Sequence, residues 1–190
     1  MKLHTRYIII LIMIMSNFGC AMKGLFGTQV NVDVTSSGLE QLGREKKLQF
    51  MLSTQDFYSN NVLYECIKSA KYYSLNIADE NDCKNESDCN YVSVKGNNNG
   101  DSIVYSGTTH SYNALTNQVN SNNNSYKIYK RQIIVGIYKD KLLVNKIHEI
   151  TLNSDGTGTE VVKVAYQMCR AGFKDYPARI NGTRYSVPID

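Results

Sequence analysis

The stretch Tyr126–Asn153, YKIYKRQIIVGIYKDKLLVNKIHEITLN, alternates apolar and polar residues on either side of Lys139-Asp140-Lys141. Successive side chains leave a strand on opposite faces, so a period of two marks a strand with one buried side. Two such runs about a short charged break predict a long antiparallel hairpin.

On the C-terminal side, SDGTGTE (154–160) places Thr157 and Glu160 at the spacing of a capping box, which predicts a helix opening there. Val161, Ala165 and Met168 or Cys169 form its apolar row, and Gly172 is its expected stop. The tail holds Tyr176-Pro177, a turn at Asn181-Gly182 and a last strand over 184–189. On the N-terminal side, Val30, Val32 and Val34 alternate with Asn31 and Asp33, and Lys47–Thr54 reads as a second strand. Tyr58, Val62, Cys66 and Ala70 then step by four, after the cap candidates Ser53 and Thr54, which predicts an amphipathic helix over 55–72. Between 74 and 125, asparagine recurs in clusters; these predict turns and long loops around short strands at 91–95 and 103–112. The order strand, strand, helix, several strands, helix, strand predicts an α+β fold: a two-layer sandwich with a mainly antiparallel sheet and two helices on one face.

The chain has 190 residues, 42% of them apolar and 20% charged, which fits one compact core and excludes wholesale disorder. Its 21 basic and 17 acidic residues are interspersed, so no nucleic-acid partner is expected.

The first twenty residues, MKLHTRYIIILIMIMSNFGC, carry Lys2 and Arg6, an apolar run from Tyr7 to Met15 and a polar close. That run has the length of a signal-peptide core and falls far short of the roughly 20 residues of a membrane-spanning helix. Gly19 directly before Cys20 resembles the bacterial lipobox, although Asn17 stands where that pattern prefers leucine. Residues 1–19 are accordingly expected to be a signal peptide, 20–46 a lipidated tether with a short strand, and 47–190 the folded domain. Acylation at Cys20 would hold the chain on a membrane through several acyl chains, each contributing about 0.8 kcal/mol per buried CH₂. No aspartate follows Cys20, so the periplasmic side of the outer membrane is the expected location. Removing Cys20 from the count of five cysteines leaves four, which allow three pairings in an oxidising compartment. Cys83 and Cys89 lie six apart in DENDCKNESDCN and are expected to pair locally, leaving Cys66 with Cys169. That second bridge requires the two helices to lie side by side.

Catalytic and metal-binding patterns are sparse. His110 and His148 stand in strands without a second ligand at metal spacing, and no G-x-S-x-G elbow occurs. Cys66 with His148 is the formal nucleophile–base pair, and Asn153, Asp155, Thr157 and Glu160 the formal calcium loop; a disulfide and a helix cap account for these residues instead. No catalytic residue, metal or cofactor is expected.

Ile77-Ala78-Asp79, the Lys130-Arg131 strand start with Ile137, Tyr138 and Asp140, and the last helix running into Phe173, Tyr176-Pro177 and Asn181-Gly182 together resemble a known layout. It is that of the Gram-negative envelope lipoproteins of the uncharacterised DUF4136-like domain family, over about three quarters of the chain. A cysteine-bearing insertion from Glu80 to Asn90 departs from that pattern. The resemblance implies envelope location and an α+β fold, and brings no catalytic residues. The expected function is a non-catalytic binding or structural module with a periplasmic or outer-membrane protein partner. An inhibitor or immunity-type lipoprotein and an envelope hydrolase are the alternatives.

Overall fold

The structure, a computed structural model, describes residues 29–38, 46–79, 82–84, 86–113, 116–157, 159–178 and 180–189. Residues 1–28, with the signal segment and Cys20, lie outside them. The chain divides into two compact units, Met1–Gln29 with Pro188–Asp190 and Val30–Val187, and the second holds the fold.

The elements are β1 (Gln29–Gly38), β2 (Lys47–Phe50), α1 (Phe57–Tyr72), β3 (Cys89–Asn113), β4 (Gln118–Tyr138), β5 (Lys146–Gly156), α2 (Ala165–Phe173) and β6 (Thr183–Pro188), with short 3₁₀ turns at Glu86–Asp88 and Val161–Val164. The fold is α+β: one six-stranded sheet in the order β2-β3-β4-β5-β1-β6, and two helices. The β3–β4, β4–β5 and β5–β1 pairs are antiparallel, and β2–β3 is parallel. A parallel neighbour needs a crossover, which α1 supplies between β2 and β3.

The alternation around 126–153 forms the centre of this sheet. Register carries one row from Gly96 through Ile133 and Leu152 to Val34, and the next from Val94 through Val135 to Ile150. Every side chain of these two rows but the half-buried Gly96 is buried, and the intervening Lys95, Ile134, Thr151 and Thr35 are half-buried or exposed. Helix packing falls on the buried rows. A Cβ on Gly96 would stand 2.7 Å from Val62 of α1, and one on Gly172 of α2 would stand 2.8 Å from Leu152. Glycine at these positions lets backbone and side chain approach where a methyl group would collide.

The helix faces follow the apolar spacing. Val62, Leu63, Cys66 and Ala70 of α1 are buried, as are Ala165, Met168, Cys169 and Phe173 of α2. The sulfurs of Cys66 and Cys169 are at bonding distance with Cα atoms 5.1 Å apart, and Ser69 Oγ donates to the Tyr166 carbonyl at 2.7 Å. Cys83 and Cys89 form the second pair, Cα atoms 5.7 Å apart. Cys89 belongs to a smaller cluster with Ala78 and Tyr91, edged by Met51, Tyr138 and Leu143.

Four local expectations are corrected. The cap of α1 is Asp56, whose carboxylate accepts from the Ser59 amide at 2.9 Å; Ser53 Oγ serves the amides of Gln55 and Asp56 one turn earlier. The Thr157–Glu160 capping box does not form. Glu160 pairs with Lys163 at 3.2 Å, and the Val161 amide donates to Tyr58 Oη at 3.1 Å. Val161 and Val164 are both buried, and a 3₁₀ turn stacks residues three apart, so tertiary burial sets the tighter turn before α2. The β4–β5 break is longer than Lys139-Asp140-Lys141. It runs to Asn145, held by Asp140, which accepts from the Asn145 and Val144 amides at 2.7 and 3.1 Å. Those amides, that of Asn145 first, hold the Asp140 carboxyl below its ordinary range. The asparagine-rich region, finally, is not mostly loop. β3 and β4 stay paired from Tyr91↔Tyr138 out to Asn113↔Gln118, with a shift between Asn99 and Ser102. Asparagine favours turns when its side chain bonds to its own backbone. Here the main chains bond to each other, and polar side chains bond across the ribbon.

The C-terminal segment closes one end of the core. Ser36 and Ile180 exchange bonds, amide to carbonyl at 2.8 Å and amide to Oγ at 2.7 Å, and Arg184 grips Asp33 with two bonds of 2.8 and 2.9 Å. Tyr176 packs edge-on against Phe173 and His148, each ring 6.3 Å away. Burial pushes the Tyr176 phenol up to about 12. Tyr185 is likewise pushed up to about 12, first by burial and then by its bond to the Asp175 carboxylate. A phenol whose folded pKa lies above its unfolded value of roughly 10 stabilises the fold fully below pH 10, and that contribution is lost as pH rises from about 10 through 12. Absorbance titration at 295 nm is expected to show Tyr176 and Tyr185 ionising late, near pH 12 and together with unfolding. Uniform ionisation near pH 10 in the folded chain would count against this packing.

Candidate contact surface

The most prominent feature for function is the outer part of the β3–β4 ribbon. β5 ends opposite Tyr129 at Gly156, and β2 ends opposite Val92. Beyond those points no described strand pairs with either edge, and Ser102–Asn113 with Gln118–Tyr129 form a two-stranded arm about 40 Å long. Ser102–Tyr126 contains no Asp, Glu, Lys or Arg; it is built from Ser, Thr, Asn, Gln, Tyr, one His and small or apolar residues.

The arm is held by its ladder and by cross-strand side-chain bonds. Thr108 Oγ1 donates to Asn123 Oδ1 at 2.8 Å, and His110 Nδ1 and Ser121 Oγ are 2.9 Å apart. Tyr112 Oη donates to Asn117 Oδ1, and Asn117 takes the left-handed conformation, φ 51°, that asparagine tolerates at a turn. Register places Val104, Thr108, His110, Tyr112, Val119 and Asn123 on one face. Val104, Tyr112 and Val119 are 57, 63 and 62% exposed: Tyr112 and Val119 lie opposite each other near the tip, and Val104 stands near the foot, with Ser106, Thr108 and His110 between them.

A concavity of about 390 Å³ lies beside the N-terminus of α1 and is lined by Met51, Leu52, Asp56, Ser59, Lys95 and Leu143 among others. Two of its polar groups, Asp56 and Ser59, bond to each other. Ser59 Oγ donates to Asp56 Oδ2 at 2.6 Å and accepts from the Gly96 amide at 3.2 Å, and the Ser59 bonds hold Asp56 below its ordinary range. Asp56 is thus a helix cap and Ser59 its partner.

The residues singled out by sequence divide clearly. Cys66 is joined to Cys169 and not to His148; His148 is buried against Tyr176. His110 is exposed on the arm. Asn153 lies in β5 and accepts from Gln132 at 3.0 Å, and Glu160 faces Lys163, so the formal calcium loop is dispersed. Among the described residues no three His, Cys, Asp or Glu side chains converge as metal ligands, and no helix is long and apolar enough to cross a membrane. Arg131 was read only as part of a strand start, without a buried role. Its guanidinium is buried over Gly156, where a Cβ would collide with Nη2, and it reaches Ser154 Oγ at 3.4 Å; burial lowers its pKa.

No protein-family model matches the chain, and no curated protein matches it. Among solved structures it is similar to a PDZ domain protein from Parabacteroides distasonis ATCC 8503, with 13% identity and a TM-score of 0.48 over 87% of this chain and 40% of that one. The chain thus spans less than half of that structure's length.

Proposed function

We propose that the chain is a lipid-anchored envelope module that works by contact rather than catalysis, and that the β3–β4 arm is its contact surface. Residues 1–19 export it, acylated Cys20 holds it on the periplasmic side of the outer membrane, and the folded body presents the arm to a protein partner. The architecture we infer is the two-layer sandwich, both helices covering one sheet face, as the packing of Gly96 and Gly172 supports. Oxidised Cys66–Cys169 and Cys83–Cys89 pairs fit an oxidising compartment. The resemblance to DUF4136-like lipoproteins agrees in location.

One observation carries the reading: an arm of about 40 Å whose edges find no partner in the described fold and whose residues 102–126 carry no Asp, Glu, Lys or Arg. Exposed ribbons are ordinarily blunted with charge or proline, because free N–H and C=O groups invite another chain. An arm without these devices, whose described side chains are not part of the body's core, offers its edges and faces to contact.

The test replaces 100–129 by an Asn-Gly turn joining Asn99 to Lys130, which are paired in register. The body is expected to melt within about 2 °C of the parent, because the arm buries little of it. Mass spectrometry is expected to find acylated Cys20 at the mature N-terminus of both forms, while envelope crosslinks of the parent disappear from the truncated one. An unmodified Cys20, or crosslinks that survive truncation, would overturn the reading.

A further inference from the structure

We infer that the arm's partner is a second copy of this chain, joined edge to edge through β4 in antiparallel register; this rests on reading the arm as the contact surface.

The two edges of the arm differ. The free edge of β3 runs from Ser93 to Asn113 and is broken at the foot of the arm, where Gly100 and Asp101 are inserted between Asn99 and Ser102, so a strand added along β3 meets a bulge as it nears the body, although Ser102–Asn113 is continuous. Bulges and charged residues are devices that prevent strand addition. β4 is continuous in its register with β3 over the whole arm, from Gln118 to Tyr129. Its other edge is occupied by β5 only as far as Tyr129↔Gly156. An uninterrupted edge from Gln118 to Ile128 remains, in which Lys127 is the first charged residue.

Charge then selects the occupant. A partner recognised by ion pairs finds no Asp, Glu, Lys or Arg to meet between 102 and 126, whereas a second β4 finds no repulsion there and a row of complementary N–H and C=O groups. An antiparallel pairing of one strand with itself has a two-fold axis, and full overlap of Gln118–Ile128 puts that axis at Asn123. Strand order becomes β3-β4-β4-β3 across the two copies. Ser121, Asn122 and Asn123 of one copy then lie opposite Ser125, Asn124 and Asn123 of the other, so the uncharged centre of the strand meets itself across the axis. Anchoring both copies to one membrane raises their effective concentration, which a short uncharged edge needs.

The geometry is tested in the full chain, in membranes of expressing cells, by introduced cysteines under mild copper-phenanthroline oxidation. Asn123→Cys lies on the axis, within reach of itself. Thr108→Cys is opposite it on β3, one strand further out on each copy, about 14 Å from its counterpart. The Asn123→Cys chain is expected to give at least tenfold more product of twice the chain's mass than the Thr108→Cys chain. The same pairing sets Ser121 of one copy against Ser125 of the other, so co-expressed Ser121→Cys and Ser125→Cys chains are expected to crosslink. Adding Asn123→Lys to both chains, which sets two like charges across the axis, is expected to lower that crosslink at least tenfold, and Asn123→Lys on one chain with Asn123→Glu on the other to restore it to the parental level. Equal crosslinking at positions 123 and 108, preferred crosslinking through Thr108→Cys, or dimers indifferent to Asn123→Lys would overturn the β4 pairing. If Asn123→Cys gives a product of some other mass, and envelope crosslinks vanish when 100–129 is removed, self-pairing falls and the arm remains the contact surface; if that truncation changes nothing, the contact reading falls as well.

Discussion

Replacing both Cys66 and Cys169 by alanine is expected to lower the stability of the folded chain by about 4–5 kcal/mol, because a bridge across roughly a hundred residues restricts the unfolded chain strongly. The two cysteines are 103 residues apart and fully buried between α1 and α2. A domain of this size has about 5–15 kcal/mol to lose, so the variant stands close to unfolding at 37 °C. Replacing Cys83 and Cys89, six residues apart, is expected to remove only about 2 kcal/mol by the same relation. Urea denaturation of the oxidised parent and both double variants measures the contrast. Equal losses from the two pairs would show that the long bridge does not tie the helices together.

The second large effect belongs to Phe173. It is 1% exposed, at the end of α2, with its ring edge-on to Phe50 at 6.5 Å and to Tyr176 at 6.3 Å. It therefore joins the helix to β2 and to the C-terminal segment. Phe173→Ala is expected to cost about 3–5 kcal/mol, the lost burial plus the cavity left behind. Phe57, the first residue of α1, is 79% exposed, and Phe57→Ala is expected to change stability by no more than about 0.5 kcal/mol. Thermal melts of the two variants check this. A loss at Phe57 as large as that at Phe173 would place the core elsewhere.

Much of the body was legible in the chain because burial on one face writes a period into the residues. Ile133, Val135 and Ile137 lie buried in register with Leu152, Ile150 and His148 where the alternation puts them, and the four-residue step of Val62, Cys66 and Ala70 is the buried side of α1. The cysteine pairs follow from spacing and from helices that lie together. What failed was local chemistry outvoted by distant partners. Thr157 and Glu160 have the spacing of a cap, but Tyr58, 103 residues from Val161, takes the Val161 amide. Of the arm, the strand expected over 103–112 lies within β3, but its partner over 118–125 was read as loop for another reason. Among the described side chains of the arm none is buried, and asparagine composition alone reads as turn. Its signal was the pairing of Val104, Thr108 and Tyr112 with Lys127, Asn123 and Val119, which no single segment contains.

The most direct measurement of the central claim is site-specific photocrosslinking of the intact chain in its envelope, with the reactive side chain placed in turn at Tyr112 and Val119 on the arm and at Lys68 and Lys163 on the exposed side of the helical elements. Adducts from the arm positions and none from the helices are the predicted result. Adducts from the helices with the arm silent would contradict it.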